Sequence, residues 1–148
     1  MRDYIIYTDG GYSISNNVGS SAYIILRSDG QTLVKQDAFV LLRESSQRAE
    51  FKAIIAAVYE LPDKSRAKIY TDNQYAAAIL GKVPKRKNKP DKDLLVHYKQ
   101  LVRAKKLTIE FTWVRSHIGH TWNELCDSLC TEALAMAEGN MRKCNYSI

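Results

Sequence analysis

The chain lacks long hydrophobic runs and has few cysteines, and both shortages limit what kind of protein it can be. No segment approaches the roughly 20 consecutive apolar residues of a membrane-spanning helix, and the first residues enter a strand pattern at Asp3 instead of forming a signal peptide. The three cysteines are an odd number, which argues against a framework of disulfides. We therefore expect free thiols and a cytoplasmic location.

The sequence does contain enough apolar residues for a core, together with an excess of basic charge. Its 148 residues are 45% hydrophobic and 26% charged, which fits one globular domain. We expect that domain over residues 1–138, followed by a polar tail over residues 139–148. The formal net charge of +6 suits a polyanion, either nucleic acid or a membrane surface, but charge alone does not choose between them.

The spacing of the apolar residues predicts a single α/β fold with a mixed sheet. Three strands come first and form an antiparallel meander: Asp3–Thr8, Ala22–Leu26 and Gln31–Leu42. The first of them is expected to end in a turn at Asp9-Gly10-Gly11. The later elements are a helix from Ser45-Ser46 to Leu61, a strand over Ala67–Thr71, helices over Gln74–Leu80 and Asp91–Ala104, a strand over Leu107–Val114 and a helix over Glu124–Ala137. The first and fourth strands are candidates for a parallel pair.

Two aspartates follow strands of identical sequence. Ile6-Tyr7-Thr8-Asp9 and Ile69-Tyr70-Thr71-Asp72 are the same tetrapeptide, each closing an apolar strand. Neighbouring strands lie about 4.8 Å apart, and ligands of α/β sheets bind beyond the carboxyl ends of parallel strands. Either aspartate alone is most simply a turn residue, but the matched pair predicts a site.

Glu50 and Asp127 are further acidic candidates, and both lie in predicted helices. Apolar residues follow Glu50 at helical spacing, so its carboxylate faces the interior, where an uncompensated charge is costly. The helix dipole explains why an acidic residue lies near the start of the helix, but it does not explain why that residue lies on the inward-facing side. Asp127 lies four residues after Asn123, and by itself it has the pattern of an ordinary solvated acid.

Carboxylates that cluster repel one another unless a cation neutralises them. Mg²⁺ prefers all-oxygen ligands, and two such ions about 3.5–4 Å apart serve phosphoryl transfer by activating a water and stabilising the leaving oxygen. The acids therefore predict a site for two Mg²⁺ ions, with Mn²⁺ as a substitute.

The order of motifs along the chain resembles type 1 ribonuclease H over about residues 3–137. The resembling segments are Tyr7–Gly11, Ser46–Glu50, Tyr70–Gln74, Trp113–His120 and Asn123–Asp127. The resemblance implies a ribonuclease H-like fold, in which helices flank a five-stranded mixed sheet on both faces. It also implies a monomeric endoribonuclease, without a membrane partner, that hydrolyses the RNA strand of RNA–DNA hybrids by a two-metal-ion mechanism. Little sequence specificity and 5′-phosphate and 3′-hydroxyl ends are expected.

The resemblance assigns roles to individual positions. The positions that match metal-binding carboxylates are Asp9, Glu50, Asp72 and Asp127. His117 matches a histidine that assists proton transfer or product release. The positions that match contacts to the hybrid are Gly10, Gly11, Arg43, Ser45, Ser46, Gln47 and Gln74, although Ser46 replaces an asparagine common in the family. A short basic loop takes the place of a longer protrusion, and we expect it to contact phosphates through Lys85, Arg86 and Lys87.

Other interpretations stay open. The chain could be a DNA-cutting or strand-transfer enzyme of the same fold, or an inactive module that binds nucleic acid. A zinc site built from two histidines with Cys126 and Cys130 is disfavoured, because two cysteines four residues apart in one helix are poorly spaced for it. Trp113 is expected in the core, since it lies in a strand.

Overall fold

The structure is a computed structural model that describes residues 2–43, 45–72, 92–114 and 121–146, with side chains of the last helix described through Gly139. The elements of these residues are β1 (Asp3–Ser13), β2 (Val18–Arg27), β3 (Leu33–Leu42), α1 (Ser46–Tyr59), β4 (Arg66–Thr71), α2 (Lys92–Lys105), β5 (Thr108–Trp113) and α3 (Thr121–Tyr146). The predicted helix over Gln74–Leu80 and the lysine-rich loop after it lie outside the described residues.

The five strands form one mixed sheet in the order β3-β2-β1-β4-β5. The first three are antiparallel neighbours, which confirms the predicted meander. Strand β4 runs parallel to β1 on one side and to β5 on the other. The expected parallel pairing of the first and fourth strands is therefore confirmed.

Helices cover both faces of the sheet, as expected. Alternate residues of a strand point to opposite faces, so Ile6 of β1 packs in one hydrophobic cluster while the adjacent Tyr7 packs in another. The first cluster holds the apolar stripe of α1 and residues of α2, including Phe51 and Leu95. The second cluster holds the face of α3 that carries Cys126.

Strand β1 is longer than predicted, because it continues through its two glycines instead of turning. Gly10 pairs with Ser21 of β2, and the chain turns only after Ser13. A Cβ atom on Gly10 would lie 2.5 Å from the backbone nitrogen of Glu50. The prediction of a turn at Asp9-Gly10-Gly11 is wrong, since Gly10 serves the close approach of helix α1 to the strand.

The predicted start of α1 and the predicted end of α3 have different outcomes. Ser45 caps α1, its Oγ accepting the backbone N–H of Arg48 at 3.2 Å, which confirms the predicted helix start. Helix α3 runs to Tyr146, so the predicted end at Ala137 is wrong. A glycine inside a helix costs only about 1 kcal/mol relative to alanine, and Gly139 does not end it. Within the described residues, no helix is long and apolar enough to span a bilayer.

Candidate active site

Three carboxylates meet at the carboxyl ends of the central parallel strands. Thr8 of β1 pairs with Thr71 of β4, so the aspartates that follow them come level with each other. Glu50, the fifth residue of α1, reaches the same point. One oxygen each of Asp9, Glu50 and Asp72 lies within 4.8 Å of the others. The two aspartates of the repeated tetrapeptide therefore lie close together at one end of the sheet.

The carboxylate of Glu50 is buried, as its place at the head of the apolar stripe predicted. Its residue is 3% exposed, and Oε1 accepts a hydrogen bond from Thr71 Oγ1 at 3.3 Å. Oε2 is buried and has no hydrogen-bond donor among the described residues. A buried carboxylate oxygen without a donor is costly unless a cation meets it.

Asp127, on helix α3, lies next to the Asp9 carboxylate of this triad. Its side chain comes within hydrogen-bond reach of the Asp9 carboxylate. The preceding residue, Cys126, anchors the helix on the sheet, with Sγ 3.4 Å from the carbonyl oxygen of Ala22. Asp127 lies on the more exposed side of the same helix turn.

Cys126 and Cys130 are buried free thiols, as expected. Cys130 Sγ lies 3.3 Å from the carbonyl oxygen of Ser20 and 3.0 Å from the Oγ of Ser20. Both thiols are therefore turned toward the sheet and are occupied by contacts between α3 and β2. This orientation counts further against a zinc site.

Burial and mutual repulsion perturb the acids of the site. Burial, a hydrogen bond with Asp127 and the charge of Asp72 raise the pKa of Asp9 to about 8, although the backbone N–H of Gly10 opposes this at 2.9 Å. Burial and the charges of Asp9 and Asp72 also hold the pKa of Glu50 well above its usual range. The cluster therefore favours bound protons or a bound cation.

The donor set fits a hard divalent cation. Every side chain in the cluster offers oxygen, which suits Mg²⁺ or Mn²⁺ and not a metal that prefers sulfur or imidazole. Glu50 Oε2 is buried and accepts no hydrogen bond from the described residues, so a cation bound there would supply the missing favourable contact.

Two residues of the site were missed by the sequence reasoning. Thr71 holds Glu50, and its place in the repeated tetrapeptide was a signal that could have singled it out. Trp113 is 43% exposed, and its indole N–H donates to the backbone oxygen of Asp72 at 3.1 Å. The prediction that Trp113 lies in the core is wrong, because β5 ends at this residue, at the rim of the sheet.

The expected substrate contacts divide into those inside and those outside the described residues. Gly10 and Gly11 are half-buried in strand β1. Ser45 and Ser46 are exposed at the start of α1, and Gln47 is partly exposed one turn before Glu50. Arg43 is exposed, with a left-handed φ of 57°. The remaining predicted site residues lie outside the described residues: Gln74, Lys85, Arg86, Lys87 and His117.

The fold and the acidic centre together define a cluster of carboxylates on a mixed α/β sheet that could hold a metal ion. Comparisons with known proteins identify the family. The family model described as RNase H matches residues 1–135. A ribonuclease H of Trichodesmium erythraeum is 33% identical, with 86% of each chain covered. One of Campylobacter jejuni is 30% identical, covering 97% of this chain and 99% of that protein. The chain belongs to the RNase H family, which confirms the resemblance seen in its motifs.

A solved structure shows the same fold. It is the N-terminal RNase H domain of a Mycobacterium tuberculosis protein, solved as a fusion with maltose-binding protein. The TM-score is 0.81 at 19% identity, covering 95% of this chain and 99% of that chain. The expected five-stranded mixed sheet with helices on both faces is confirmed.

Proposed function

We propose that this chain is an endoribonuclease that hydrolyses the RNA strand of RNA–DNA hybrids with little sequence specificity. The observation that carries the proposal is the convergence of Asp9, Glu50 and Asp72 within 4.8 Å, in a chain of the RNase H family. Asp127 supports it as a fourth carboxylate beside Asp9. A cluster of this composition suits the cleavage of phosphodiesters.

The four carboxylates would hold two Mg²⁺ ions, with Mn²⁺ as an alternative. When bound, such ions supply positive charge near the scissile phosphate and activate the attacking water. The chain's own part is to hold the ligand oxygens in place beforehand. Thr71 fixes one oxygen of Glu50, and the N–H of Gly10 fixes one oxygen of Asp9.

The proposed reaction is hydrolysis with the 3′-oxygen as the leaving group. The water releases a proton as its oxygen bonds to phosphorus. The bond from phosphorus to the 3′-oxygen breaks, and that oxygen takes up a proton. The products carry 5′-phosphate and 3′-hydroxyl ends. We assign His117 the task of assisting this proton transfer or the release of the product, as the family motif suggests.

Selection of a hybrid would come from the sugars, because only the RNA strand carries 2′-hydroxyls. We assign contacts to these sugars and the minor groove to the main chain of Gly10 and Gly11 and to Gln47 and Gln74. On the DNA strand we assign phosphate contacts to Arg43 and Ser45, and we assign Ser46 a further hydrogen-bond contact to the hybrid. All three residues are exposed at or just before the start of α1. Contacts to sugar and phosphate carry little base information, which agrees with low sequence specificity.

We further propose a catalytic unit of residues 1–138 with a polar tail after it, acting as a monomer in the cytoplasm. The family match over residues 1–135 supports the unit. Cys126 and Cys130, buried as free thiols, fit a reducing compartment.

The test is cleavage of four end-labelled substrates: an RNA–DNA hybrid labelled on its RNA strand, double-stranded RNA, single-stranded RNA and a DNA duplex. We expect cleavage of the hybrid alone, dependent on Mg²⁺ and abolished in the Asp9→Asn variant. The products should be extended by a polymerase from their 3′ ends and should lose a 5′-phosphate to phosphatase. Binding of the hybrid without turnover would instead indicate an inactive module, and cleavage of duplex DNA would indicate a different nuclease of the same fold.

A further inference from the structure

Trp113 connects the end of β5 to the acidic cluster. Within the described residues, the last backbone hydrogen bond between these two segments runs from the N–H of Val114 to the carbonyl of Thr71, at 2.8 Å. The indole N–H of Trp113 donates to the next carbonyl along, that of Asp72, at 3.1 Å. The Trp113 side chain therefore extends the contact between the two segments by one residue, to Asp72, whose carboxylate is a predicted metal ligand.

Asp72 needs such an anchor more than its two neighbours do. Asp9 lies inside β1, paired with Ala22 of β2, and Glu50 lies inside α1. Asp72 comes after the last residue of β4, where the chain bends out of the sheet. Its carboxylate is nevertheless held among like charges, which oppose the arrangement.

The position of Trp113 does not fit a role in core packing alone. Aromatic side chains stabilise a fold chiefly by burying their large apolar area, yet 43% of this residue is exposed. Its single polar atom, by contrast, is paired with a site residue.

We propose that Trp113 is a positioning residue of the metal site, whose indole N–H holds the main chain of Asp72 so that its carboxylate stays with those of Asp9 and Glu50. The inference rests on the proposed function, since it assigns the triad to a divalent cation. Partners outside the ligand shell orient metal ligands in many proteins, and their loss typically weakens metal binding about 10–100-fold.

Two substitutions separate the donor from the ring. Trp113→Phe removes the N–H, while Trp113→His keeps an N–H at the corresponding place of a five-membered ring. Both variants lose part of the indole surface, so their difference reports on the donor. Trp122→Phe is the matched control, because it changes the other tryptophan, which packs partly buried against the second hydrophobic cluster from α3.

The measurement is Mg²⁺ binding by calorimetry without nucleic acid, together with the Mg²⁺ dependence of hybrid cleavage. We expect Trp113→Phe to weaken Mg²⁺ binding about tenfold and to raise the Mg²⁺ concentration for half-maximal rate, with kcat recovering at saturating Mg²⁺. Trp113→His should bind Mg²⁺ more tightly than Trp113→Phe, and Trp122→Phe should bind it like the wild type.

Mg²⁺ binding by both Trp113 variants equal to that of the wild type would overturn the inference, as would equal weakening by Trp113→Phe and Trp122→Phe. Equal weakening in the two Trp113 variants would also overturn it, because the N–H would then be irrelevant. Failure of the wild type itself to bind Mg²⁺ or to cut hybrids would instead refute the proposed function.

Discussion

Replacing Asp9 by asparagine should make the metal-free protein more stable while it removes activity. The substitution keeps an oxygen that accepts the N–H of Gly10, but it removes one of the charges that meet at the end of the sheet. Burial and neighbouring acids raise the pKa of Asp9 from 3.8 to about 8. The folded state thus binds a proton over a pH range in which the unfolded chain has released it.

The sign of the pH dependence follows from linkage. Because the folded state holds more protons than the unfolded state between the two pKa values, the free energy of unfolding falls as pH rises through this window. A shift from 3.8 to about 8, at about 1.4 kcal/mol per unit, bounds the loss at roughly 6 kcal/mol. Burial of the asparagine amide offsets about 1–3 kcal/mol of the gain. We expect a net stabilisation of up to about 3–5 kcal/mol for Asp9→Asn above pH 8.

The assay is urea unfolding in chelator at about pH 5.5 and about pH 8.5, followed by the same measurement with Mg²⁺. The free energy of unfolding of the wild type should fall from the lower to the higher pH and rise again when Mg²⁺ is added. In Asp9→Asn, both the fall with pH and the rise with Mg²⁺ should be smaller. Asp29→Asn is a matched control. Its carboxylate is exposed, and hydrogen bonds from Thr32 and Gln31 lower its pKa to about 2.

The control should behave in the opposite way. A lowered pKa contributes stability that is present above the unfolded value and is lost as pH falls toward about 2. Asp29→Asn should therefore lower stability at both test pH values alike, without affecting the response to Mg²⁺. The reasoning about Asp9 is refuted if Asp9→Asn is less stable than the wild type in chelator at the higher pH.

Three further sets of substitutions test the packing at the site, the helix after it and the basic loop. Gly10→Ala should destabilise the fold by about 2–3 kcal/mol and weaken Mg²⁺ binding, since the added Cβ would lie 2.5 Å from the nitrogen of Glu50. In the comparison variant Gly139→Ala, the added Cβ has no atom within 4 Å, so the substitution should stabilise helix α3 by up to about 1 kcal/mol. Equal shifts of the melting temperature in Gly10→Ala and Gly139→Ala would contradict both expectations. Alanine at residues 85–87 should flatten the salt dependence of hybrid binding by up to about 0.9 per lost phosphate contact, and an unchanged slope would exclude these contacts.

The elements and the acids that matter were largely predictable from the sequence. Apolar periodicity located every strand and helix of the described residues, because burial of an amphipathic face imposes that pattern locally. The same periodicity predicted that Glu50 lies on the side of α1 that faces the protein interior. The repeated tetrapeptide also predicted a shared site. The first three residues of its two copies pair in register, with Tyr7 stacked on Tyr70 at 5.1 Å.

Tertiary contacts decided the rest. Local sequence favours a turn at Gly10, but pairing with β2 and the approach of α1 keep it in the strand. Asp127 looks like any solvated acid until the packing of α3 brings it to Asp9. Trp113 is a large apolar residue of the kind usually found in a core. Its indole N–H reaches the carbonyl of Asp72 only because of the register between β4 and β5. The sequence by itself determined which residues could bind a cation, whereas strand register and helix packing decided that they meet, since contacts between distant segments leave no local pattern.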